Sequence, residues 1–457
     1  MKNPPESIKQ ALIDHLKIDN PKYYEAVKRG FSTYNLKPHI YNFDILPDES
    51  IRIPRGMRSV LLDMVQDQDF KLTDQRTLFD YQDYGSAHIK YYPYQETAVT
   101  QLMGKDEGFF IAPAGSGKTV VGLSMVPLFG QPSLWLTHTR QLFEQAQERI
   151  KQYLPSLKDD DVGVIGSGKW KPGRVITVSL IPTLVRRPVE LHKIRNDYGL
   201  VILDEAHHCP ASTFLKVVGA LNPYYFYALT ATPYRRDKLD PLMFQAIGPE
   251  IVRIKPEEVE KYGGIMMPTV LYRTVHSKPV YHNKIQTILK ENIVENDKRN
   301  NLIVGDVLRE AVGGNYCIVL TDRKVHAERL FELISIGWEN TGIATGNYSK
   351  KYVSEQASRL NDKEITVLVC TFALLGEGFD VPFLNRAFMT MPFRAEGKVE
   401  QLIGRIQRPA DGKKDAIVYD YVDADIGVLV NQFYHKGKND CRHKAYTRLG
   451  LKVQPYE

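Results

Sequence analysis

The 457-residue sequence has few cysteines, no long apolar run and little excess charge. Its four cysteines, Cys209, Cys317, Cys370 and Cys441, lie far apart with no CxxC pair, which argues against a zinc site and a disulfide framework. No apolar stretch approaches the ~20 residues that a membrane-spanning helix needs, and the polar N-terminus lacks a signal-peptide core. These absences predict a globular protein that stays in the cytoplasm.

The charge balance and the length leave several classes open. A formal net charge of +6 is modest for this length, so it permits a polyanionic partner without requiring one. The length suits two or three domains. Neither property alone indicates an activity.

A glycine-rich loop after a short apolar strand is the clearest chemical signal. It lies in the sequence GFFIAPAGSGKT of residues 108–119, with Ala112 where the usual pattern has its first glycine. Glycines let successive backbone N–H groups turn toward a phosphate, and the following helix directs its positive end there. The pattern predicts a nucleoside triphosphate and Mg²⁺ site whose residues are Ala114, Gly115, Ser116, Gly117, Lys118 and Thr119.

The hydrophobic pattern predicts an α/β protein with two parallel-sheet domains. Residues 89–255 alternate short apolar strands with helices, so polar residues should gather at the carboxyl edge of one sheet. Residues 283–430 repeat this alternation without a second phosphate loop. We predict that residues 256–282 form a linker between the two domains and that residues 431–457 form a basic C-terminal tail.

The first part of the chain, residues 1–88, has a different pattern. Amphipathic helical segments flank short aromatic strands, which predicts a small α/β accessory domain that engages DNA. Arg52, Arg55 and Arg58 surround a Pro-Gly turn and would form a basic face on duplex or a branch point. A solvated surface on a packing domain is the alternative.

Further stretches resemble, in order and spacing, the motifs of superfamily 2 helicases and translocases. Residues 204–207 read DEAH, as in motif II, and residues 401–408 match the QxxGRxxR of motif VI. The sequence looks closest to phage UvsW-type branch-migration helicases and their RecG-like and XPB-like relatives. The resemblance implies tandem RecA-like domains in an ATP- and Mg²⁺-dependent DNA helicase. Such an enzyme would act as a monomer on forked or branched DNA in replication, recombination or repair, in the host cytoplasm if phage-encoded.

The resemblance also assigns catalytic roles. Lys118 would contact the β- and γ-phosphates, and Asp204 with Thr119 would hold the hydrated Mg²⁺. Glu205 would orient and deprotonate the attacking water. The spacing of motif VI would place Gln401, Arg405 and Arg408 on one helical face, from which the guanidinium groups would reach the γ-phosphate as arginine fingers.

Other matched residues would read the nucleotide, couple hydrolysis to movement or contact nucleic acid. Gln95 would read the adenine edge, and Tyr92 stands where many relatives have arginine. The remaining nucleotide contacts would be Gly378 and Asp380, and the coupling residues His207, Thr230 and Thr232. The nucleic-acid contacts would be Thr137, His138, Arg140, Ser179, Thr321, Arg323, Thr345, Gly346 and Thr371. Two alternatives stay open, an RNA helicase and an ATP-switched nucleic-acid clamp that does not unwind.

Overall fold

The computed structural model of the chain describes residues 1, 4–206, 211–231, 238–277, 279, 284–372, 381–393, 396–435 and 441–456. The chain divides into two compact units, Met1–Lys255 and Pro256–Glu457. Each unit contains its own mainly parallel sheet covered by helices. The predicted α/β class is therefore confirmed.

The N-terminal part of the first unit is small and has its own apolar cluster. Ile8 and Leu12 of the first helix pack with Val65 of the third. Two antiparallel strand pairs, β1 with β2 and β3 with β4, complete this part. Its elements are α1 (Glu6–Leu16), β1 (Lys17–Asp19), α2 (Pro21–Arg29), β2 (His39–Tyr41), β3 (Asp44–Ile45), β4 (Ile51–Arg52), a 3₁₀ turn (Arg55–Met57) and α3 (Arg58–Val65).

The parallel sheet of the first unit follows. In the described residues it has eight strands in the order β12-β5-β11-β10-β6-β9-β7-β8, and only the β7–β8 pairing is antiparallel. The central strands are apolar runs buried on both faces, as expected for a parallel sheet covered by helices. The elements are α4 (Pro93–Met103), β5 (Glu107–Ile111), α5 (Lys118–Phe129), β6 (Ser133–Thr137), α6 (Arg140–Tyr153), β7 (Val162–Gly166), β8 (Lys169–Lys171), β9 (Ile176–Leu180), α7 (Ile181–Arg186), α8 (Pro188–Lys193), β10 (Leu200–Asp204), α9 (Ala211–Ala220), β11 (Tyr225–Thr230), α10 (Asp240–Ile247) and β12 (Glu250–Arg253).

Ion pairs fasten the N-terminal part to this sheet. Arg55 Nε lies 2.9 Å from Glu107 Oε2 at the start of β5, and both side chains are largely buried. Arg58 pairs with Asp106 at 3.2 Å, and Arg76 pairs with the same carboxylate at 2.7 Å. The predicted basic face is therefore corrected for Arg55 and Arg58, because acidic groups of the same unit neutralise their charges. Arg52 stays exposed and lies 3.8 Å from the equally exposed Asp44.

The second unit has a seven-stranded sheet in the described residues. Its order is β15-β16-β14-β17-β18-β13-β19, and every described pairing is parallel. The elements are α11 (Pro256–Lys261), β13 (Thr269–Val275), α12 (Ile285–Leu289), a π-helical turn (Lys290–Val294), α13 (Asp297–Val312), β14 (Cys317–Thr321), α14 (Lys324–Gly337), β15 (Thr341–Ala344), α15 (Lys350–Asn361), β16 (Val367–Thr371), β17 (Arg386–Met389), α16 (Glu396–Ile406), β18 (Ile417–Asp423), α17 (Gly427–Phe433), α18 (Arg442–Arg448) and β19 (Val453–Pro455).

Two predicted connecting segments differ from the prediction. Residues 256–282, predicted as a linker, contain β13, which pairs with β18 on one side and β19 on the other. Residues 431–457, predicted as a basic tail, contain α18 and β19. Both segments join the second unit because their apolar and paired charged side chains are buried there, as Val270 and Arg442 illustrate. None of the helices in the described ranges has the length and apolar content of a bilayer-spanning segment.

Candidate nucleotide and nucleic-acid site

The phosphate loop joins β5 to α5 in the backbone form that an anion-binding loop needs. Gly115 and Gly117 have φ values of +83° and +81°, a region that favours glycine. A Cβ atom on Gly117 would also lie only 2.4 Å from Gln95 Nε2, so a side chain there would have to displace the Gln95 amide from its contact with the loop. Gly117 is the N-cap of α5, and the helix therefore starts at Lys118 with its positive end beside the loop.

Ala112 stands where the usual pattern has a glycine, and its surroundings explain why the loop tolerates this residue. It is buried and does not have a positive φ. Its N–H donates to Thr230 O at 3.0 Å, which ties the start of the loop to the end of β11. Because the backbone at this position suits an L-residue, alanine fits without strain.

The start of α4 holds the loop from the other side. Gln95 Nε2 donates to Ser116 O at 2.9 Å, and Tyr94 Oη donates to the same oxygen at 3.1 Å. Gln95 Oε1 accepts from Tyr92 N at 2.9 Å, and the rings of Tyr92 and Tyr94 stack with centroids 5.6 Å apart. Gln95 Nε2 therefore holds the phosphate loop, while Oε1 caps the start of α4. The contact of Gln95 with an adenine edge stays a prediction. The role of Tyr94 was not predicted from the sequence, although its position next to the motif glutamine Gln95 is a signal that could have identified it.

Lys118 and Glu205 meet above the loop. Lys118 is 7% exposed, and Nζ donates to Ala112 O at 3.1 Å and to Pro113 O at 3.3 Å. Nζ also lies 3.6 Å from Glu205 Oε1. The ammonium group is thus held by loop carbonyls that a bound phosphate can replace. Glu205 has a φ of +49°, an uncommon conformation that costs of order 1–3 kcal/mol and is concentrated at functional sites.

Asp204 is the last residue of β10 and is buried. Burial, and secondarily the negative charge of Glu205, raises the pKa of Asp204 to about 7, while Lys118 opposes the shift. A cation beside this carboxylate would favour its charged form. Thr230, at the end of the neighbouring strand β11, is also buried. His207 and Thr232, the other predicted coupling residues, lie outside the described residues.

The donor set fits Mg²⁺ held together with a nucleotide. The described residues contain no group of three His, Cys, Asp or Glu side chains suited to a metal ion. Mg²⁺ needs no such cage, since it usually takes one or two carboxylates, phosphate oxygens and several waters. Asp204 and the partly exposed Thr119 supply hard oxygen ligands of this kind. Ser116 Oγ is buried in the same loop without a hydrogen-bond partner among the described residues, which suits a ligand oxygen.

In the second unit, α16 carries most of motif VI and ends at Ile406. Arg405 lies in its last turn and is partly buried, whereas Arg408 lies beyond the helix end. The prediction that Arg408 continues the helical face is therefore wrong. The side chain of Gln401 lies outside the described residues.

Lys413 accounts for the end of this helix, and sequence reasoning missed it. Its Nζ donates to Ile406 O at 2.5 Å, Arg408 O at 2.7 Å and Pro382 O at 3.2 Å. Burial lowers the pKa of Lys413 to about 8, and the charge of Arg408 contributes. A cation at a helix C-terminus satisfies carbonyls that have no helical partner. No local pattern identifies this contact, because it depends on how residues 406–413 fold back.

Two buried arginines hold the segment that leads into α16. The first, Arg299 of α13, pairs with Asp423 of β18 at 2.7 Å, and neither side chain is more than 2% exposed. Its Nη1 donates to Thr390 O at 2.7 Å. The charge is therefore neutralised within the unit, and the remaining donor fixes the backbone just after β17.

The second arginine comes from the segment predicted as a tail. Arg442 Nε and Nη2 each lie 2.8 Å from an oxygen of Asp420 in β18. Arg442 Nη1 donates to Phe393 O at 3.2 Å, and Tyr446 Oη donates to Asp420 at 2.9 Å. The C-terminal helix thus anchors the chain three residues before α16 begins.

Comparison with known proteins agrees with the motifs described in the two units. The family model for the type III restriction enzyme res subunit matches residues 88–235, and the model for the helicase conserved C-terminal domain matches residues 299–410. The chain belongs to the superfamily 2 helicases. The predicted membership is therefore confirmed.

Similar proteins include viral and archaeal helicases. A probable helicase of Escherichia phage T5 is 25% identical over 72% of this chain and 69% of that protein. The DNA 3'-5' translocase XPB2 of Sulfurisphaera tokodaii is 25% identical over 72% of this chain and 80% of that protein. The Hef helicase domain of Pyrococcus furiosus has a TM-score of 0.54 at 13% identity, covering 78% of this chain and 97% of that one. The likeness to the last supports the tandem RecA-like fold.

Several residues that sequence predicted as nucleic-acid contacts of this helicase are buried. Thr137 of β6 donates through Oγ1 to Ser179 O of the neighbouring strand β9 at 3.2 Å, and both residues are fully buried. Thr321 bonds to His326 Nδ1 at 3.0 Å. Thr345 is 2% exposed and accepts from Asn347 N at 3.3 Å. The prediction for these four side chains is corrected, because a buried hydroxyl is not accessible to a nucleic-acid strand.

The Thr321 contact is part of a buried polar chain in the helicase. His326 Nε2 lies 3.0 Å from Asn300 Oδ1, and burial lowers the pKa of His326 to about 3. The ring is therefore neutral at physiological pH; Nδ1 accepts a hydrogen bond from the Thr321 hydroxyl, and Nε2 donates one to Asn300 Oδ1. This series of hydrogen bonds links β14 to α13 and α14 inside the second unit. Its role is structural.

The remaining predicted contacts stand nearer to solvent. Arg140 and Gly346 are exposed, and His138, Arg323 and Thr371 are partly exposed. Arg140 pairs with Glu144 at 2.8 Å, and Arg323 donates to Gln286. Those five residues keep their assignment as candidate contacts of the helicase. Gly378 and Asp380 lie outside the described residues.

Proposed function

We propose that this superfamily 2 helicase hydrolyses ATP to unwind or branch-migrate forked and branched DNA as a monomer, in replication, recombination or repair. The observation that carries the proposal is the convergence of Lys118, Asp204 and Glu205 on a built phosphate loop. A translocase described as acting on DNA is among its relatives, which supports DNA as the substrate. An RNA helicase has the same catalytic motifs and is the second candidate.

Each group of the nucleotide site has a defined task in this proposal. The loop amides and Lys118 bind the phosphates, and Lys118 exchanges its carbonyl partners for phosphate oxygens. Asp204 and Thr119 hold Mg²⁺, which neutralises charge on the phosphates when bound. Glu205 takes a proton from the attacking water. The hydrogen bonds from Gln95 and Tyr94 to Ser116 O hold the phosphate loop in position relative to these groups.

Motif VI supplies positive charge in the proposal. Arg405 and Arg408 would stabilise the charge that develops on the γ-phosphate, with Gln401 in the same motif. Gly378 and Asp380 would contact the nucleotide. His207, Thr230 and Thr232 would couple hydrolysis to movement. A complete set of turnover groups distinguishes this proposal from an ATP-switched clamp.

The proposal is tested by measuring ATPase stimulation with single-stranded, blunt duplex, forked and four-way DNA, each matched by an RNA of the same sequence. We expect the largest stimulation with forked or four-way DNA, together with strand separation or branch migration in a gel assay. Greater stimulation by RNA would establish the RNA helicase instead. Binding without stimulated turnover would establish the clamp.

Lys118→Ala is expected to weaken ATP binding by roughly tenfold to a hundredfold, because a charge-assisted contact to phosphate contributes about 1.5–3 kcal/mol. The measurement is titration with a fluorescent ATP analogue. Lys193→Ala, which removes an exposed ammonium group in the same unit, is the control. Parental affinity in Lys118→Ala would remove this lysine from the phosphate site.

Arg405→Ala is expected to lower the turnover number by about a hundredfold while changing ATP affinity little, since the guanidinium acts on charge that develops in the transition state. Arg408→Ala should behave alike. Steady-state ATPase with saturating nucleic acid measures the effect. Arg359→Ala, at a partly exposed arginine that pairs with Glu364, is the control in the same unit. Full activity of both motif VI variants would exclude them from the mechanism.

A further inference from the structure

The N-terminal part contains a short excursion whose two ends meet. Asn20 N donates to Pro38 O at 2.9 Å, and Asn20 Nδ2 donates to Lys37 O at 2.8 Å. Between these closing contacts lie α2 and the loop that leads to β2. We call residues 20–41 the excursion, and it is separate from the Arg55–Glu107 pair that fastens this part to the sheet.

The excursion buries very little of its own apolar surface. Within α2, Ala26 is the buried residue, and the helix ends at Gly30, which has the left-handed φ of +69°. The apolar cluster of the N-terminal part is built around α1 and α3 and contains no residue of the excursion. The excursion therefore presents a helix face that packs on nothing within the described residues of the unit.

Four large aromatic side chains of the excursion are exposed to solvent. Tyr34 is 94% exposed and Phe31 is 65% exposed, while Tyr24 and Tyr41 are each nearly half exposed. Exposing such rings to water is unfavourable by roughly 25 cal/mol for each Å² of apolar area. Several of them together on one short segment indicate a binding surface rather than ordinary surface residues.

Cations are interleaved with these rings. Lys22, Lys28 and Lys37 are exposed, and none of them forms an ion pair with the residues that the structure describes. Arg29, by contrast, pairs with Glu25 one helical turn earlier. Rings flanked by available ammonium groups match unstacked bases flanked by phosphates. An apolar peptide would gain nothing from the three lysines.

We propose that the excursion binds single-stranded nucleic acid at the branch point, with Tyr34 and Phe31 stacking on bases and Lys22, Lys28 and Lys37 contacting phosphates. This inference rests on the proposed function of the chain, because a branched substrate supplies the unpaired bases. It replaces Arg55 and Arg58 as the source of junction binding. The rings read no base sequence, since every base has a face on which to stack.

The test uses full-length protein and forks that carry 2-aminopurine in the single-stranded arm next to the junction. We expect Tyr34→Ala and Phe31→Ala each to lower fork affinity by roughly tenfold, within the range for losing one base–aromatic stack. Affinity for blunt duplex and the turnover number at saturating fork should stay at the parental values. Because both rings are largely exposed, neither variant removes core packing.

Further variants separate stacking from general apolar contact. Tyr34→Trp should keep fork affinity, whereas Tyr34→Leu, which keeps apolar area without a ring, should lose it. Lys22→Gln with Lys37→Gln should reduce the slope of log affinity against log salt by about 0.7 for each lost phosphate contact. Tyr262→Ala, an exposed ring of the second unit, is the control. Forks with DNA or RNA arms identify which polymer supplies the bases.

The outcomes distinguish this inference from the proposed function. If the parental protein binds no nucleic acid and shows no stimulated ATPase, the proposed function fails. If the parental protein is stimulated but Tyr34→Ala and Phe31→Ala bind forks at the parental affinity, the excursion inference fails alone. Equal losses on forks and blunt duplex, or retained binding by Tyr34→Leu, would also overturn it.

Discussion

Glu205→Gln is expected to leave ATP binding intact and to lower the turnover number by about 10²- to 10⁴-fold, the usual contribution of a general base. Glutamine has the shape of glutamate but cannot accept the proton of the attacking water. Lys118 keeps its carbonyl partners Ala112 and Pro113 in the variant, so the phosphate loop retains its form. The φ of +49° at this position has the same conformational cost for glutamate and for glutamine.

Two measurements are needed for this prediction. Titration with a fluorescent ATP analogue reports binding, and single-turnover hydrolysis with saturating nucleic acid reports the chemical step. Glu144→Gln, an exposed glutamate on α6 that pairs with Arg140, is the matched control. Hydrolysis by Glu205→Gln at the parental rate would show that another group activates the water.

The nucleotide site could be predicted from the sequence because its determinants are local. The glycine spacing after a buried strand marks the phosphate loop, and Asp204 and Glu205 stand at the carboxyl end of β10. Parallel strands then bring their carboxyl ends to one edge without further information. The alanine at position 112 weakened the motif match, yet its backbone conformation is ordinary.

The contacts with nucleic acid could not be predicted in the same way. Thr137 and Ser179 stand at motif positions, but whether a hydroxyl faces solvent depends on the neighbouring strand that covers it. Arg55 likewise looks available in the sequence, and only the fold brings Glu107 within 2.9 Å. Exposure is a property of the tertiary structure. Sequence patterns therefore identified polar residues but could not show which of them are accessible to nucleic acid.

The strands β13 and β19 were missed as sheet members for a related reason. Each is flanked by proline, glycine or charged residues that are typical of connecting segments. Their partners lie far along the chain, since β13 pairs with β18 and β19 pairs with β13. The charge of Arg442, which made the end of the chain look like a basic tail, is paired with Asp420 inside the unit.

Arg442→Met is expected to destabilise the second unit by about 3–5 kcal/mol, because it leaves the carboxylate of Asp420 buried without its cation. Tyr446 still donates one hydrogen bond to that carboxylate, which does not replace the lost charge. Loss of the donor to Phe393 O also releases the chain before α16, so the turnover number should fall with stability. Urea unfolding followed by tryptophan fluorescence, analysed as separate transitions for the two units, measures the first effect.

Replacing both partners, as Asp420→Leu with Arg442→Met, separates the two consequences. The double variant no longer buries an unpaired charge, so we expect it to recover most of the lost stability. It still lacks a donor for Phe393 O, and its turnover number should therefore stay low. Arg359→Met, which removes a partly exposed arginine paired with Glu364 at 3.3 Å, should change stability by no more than about 1 kcal/mol. Recovery of turnover together with stability in the double variant would show that Arg442 stabilises the unit without positioning motif VI.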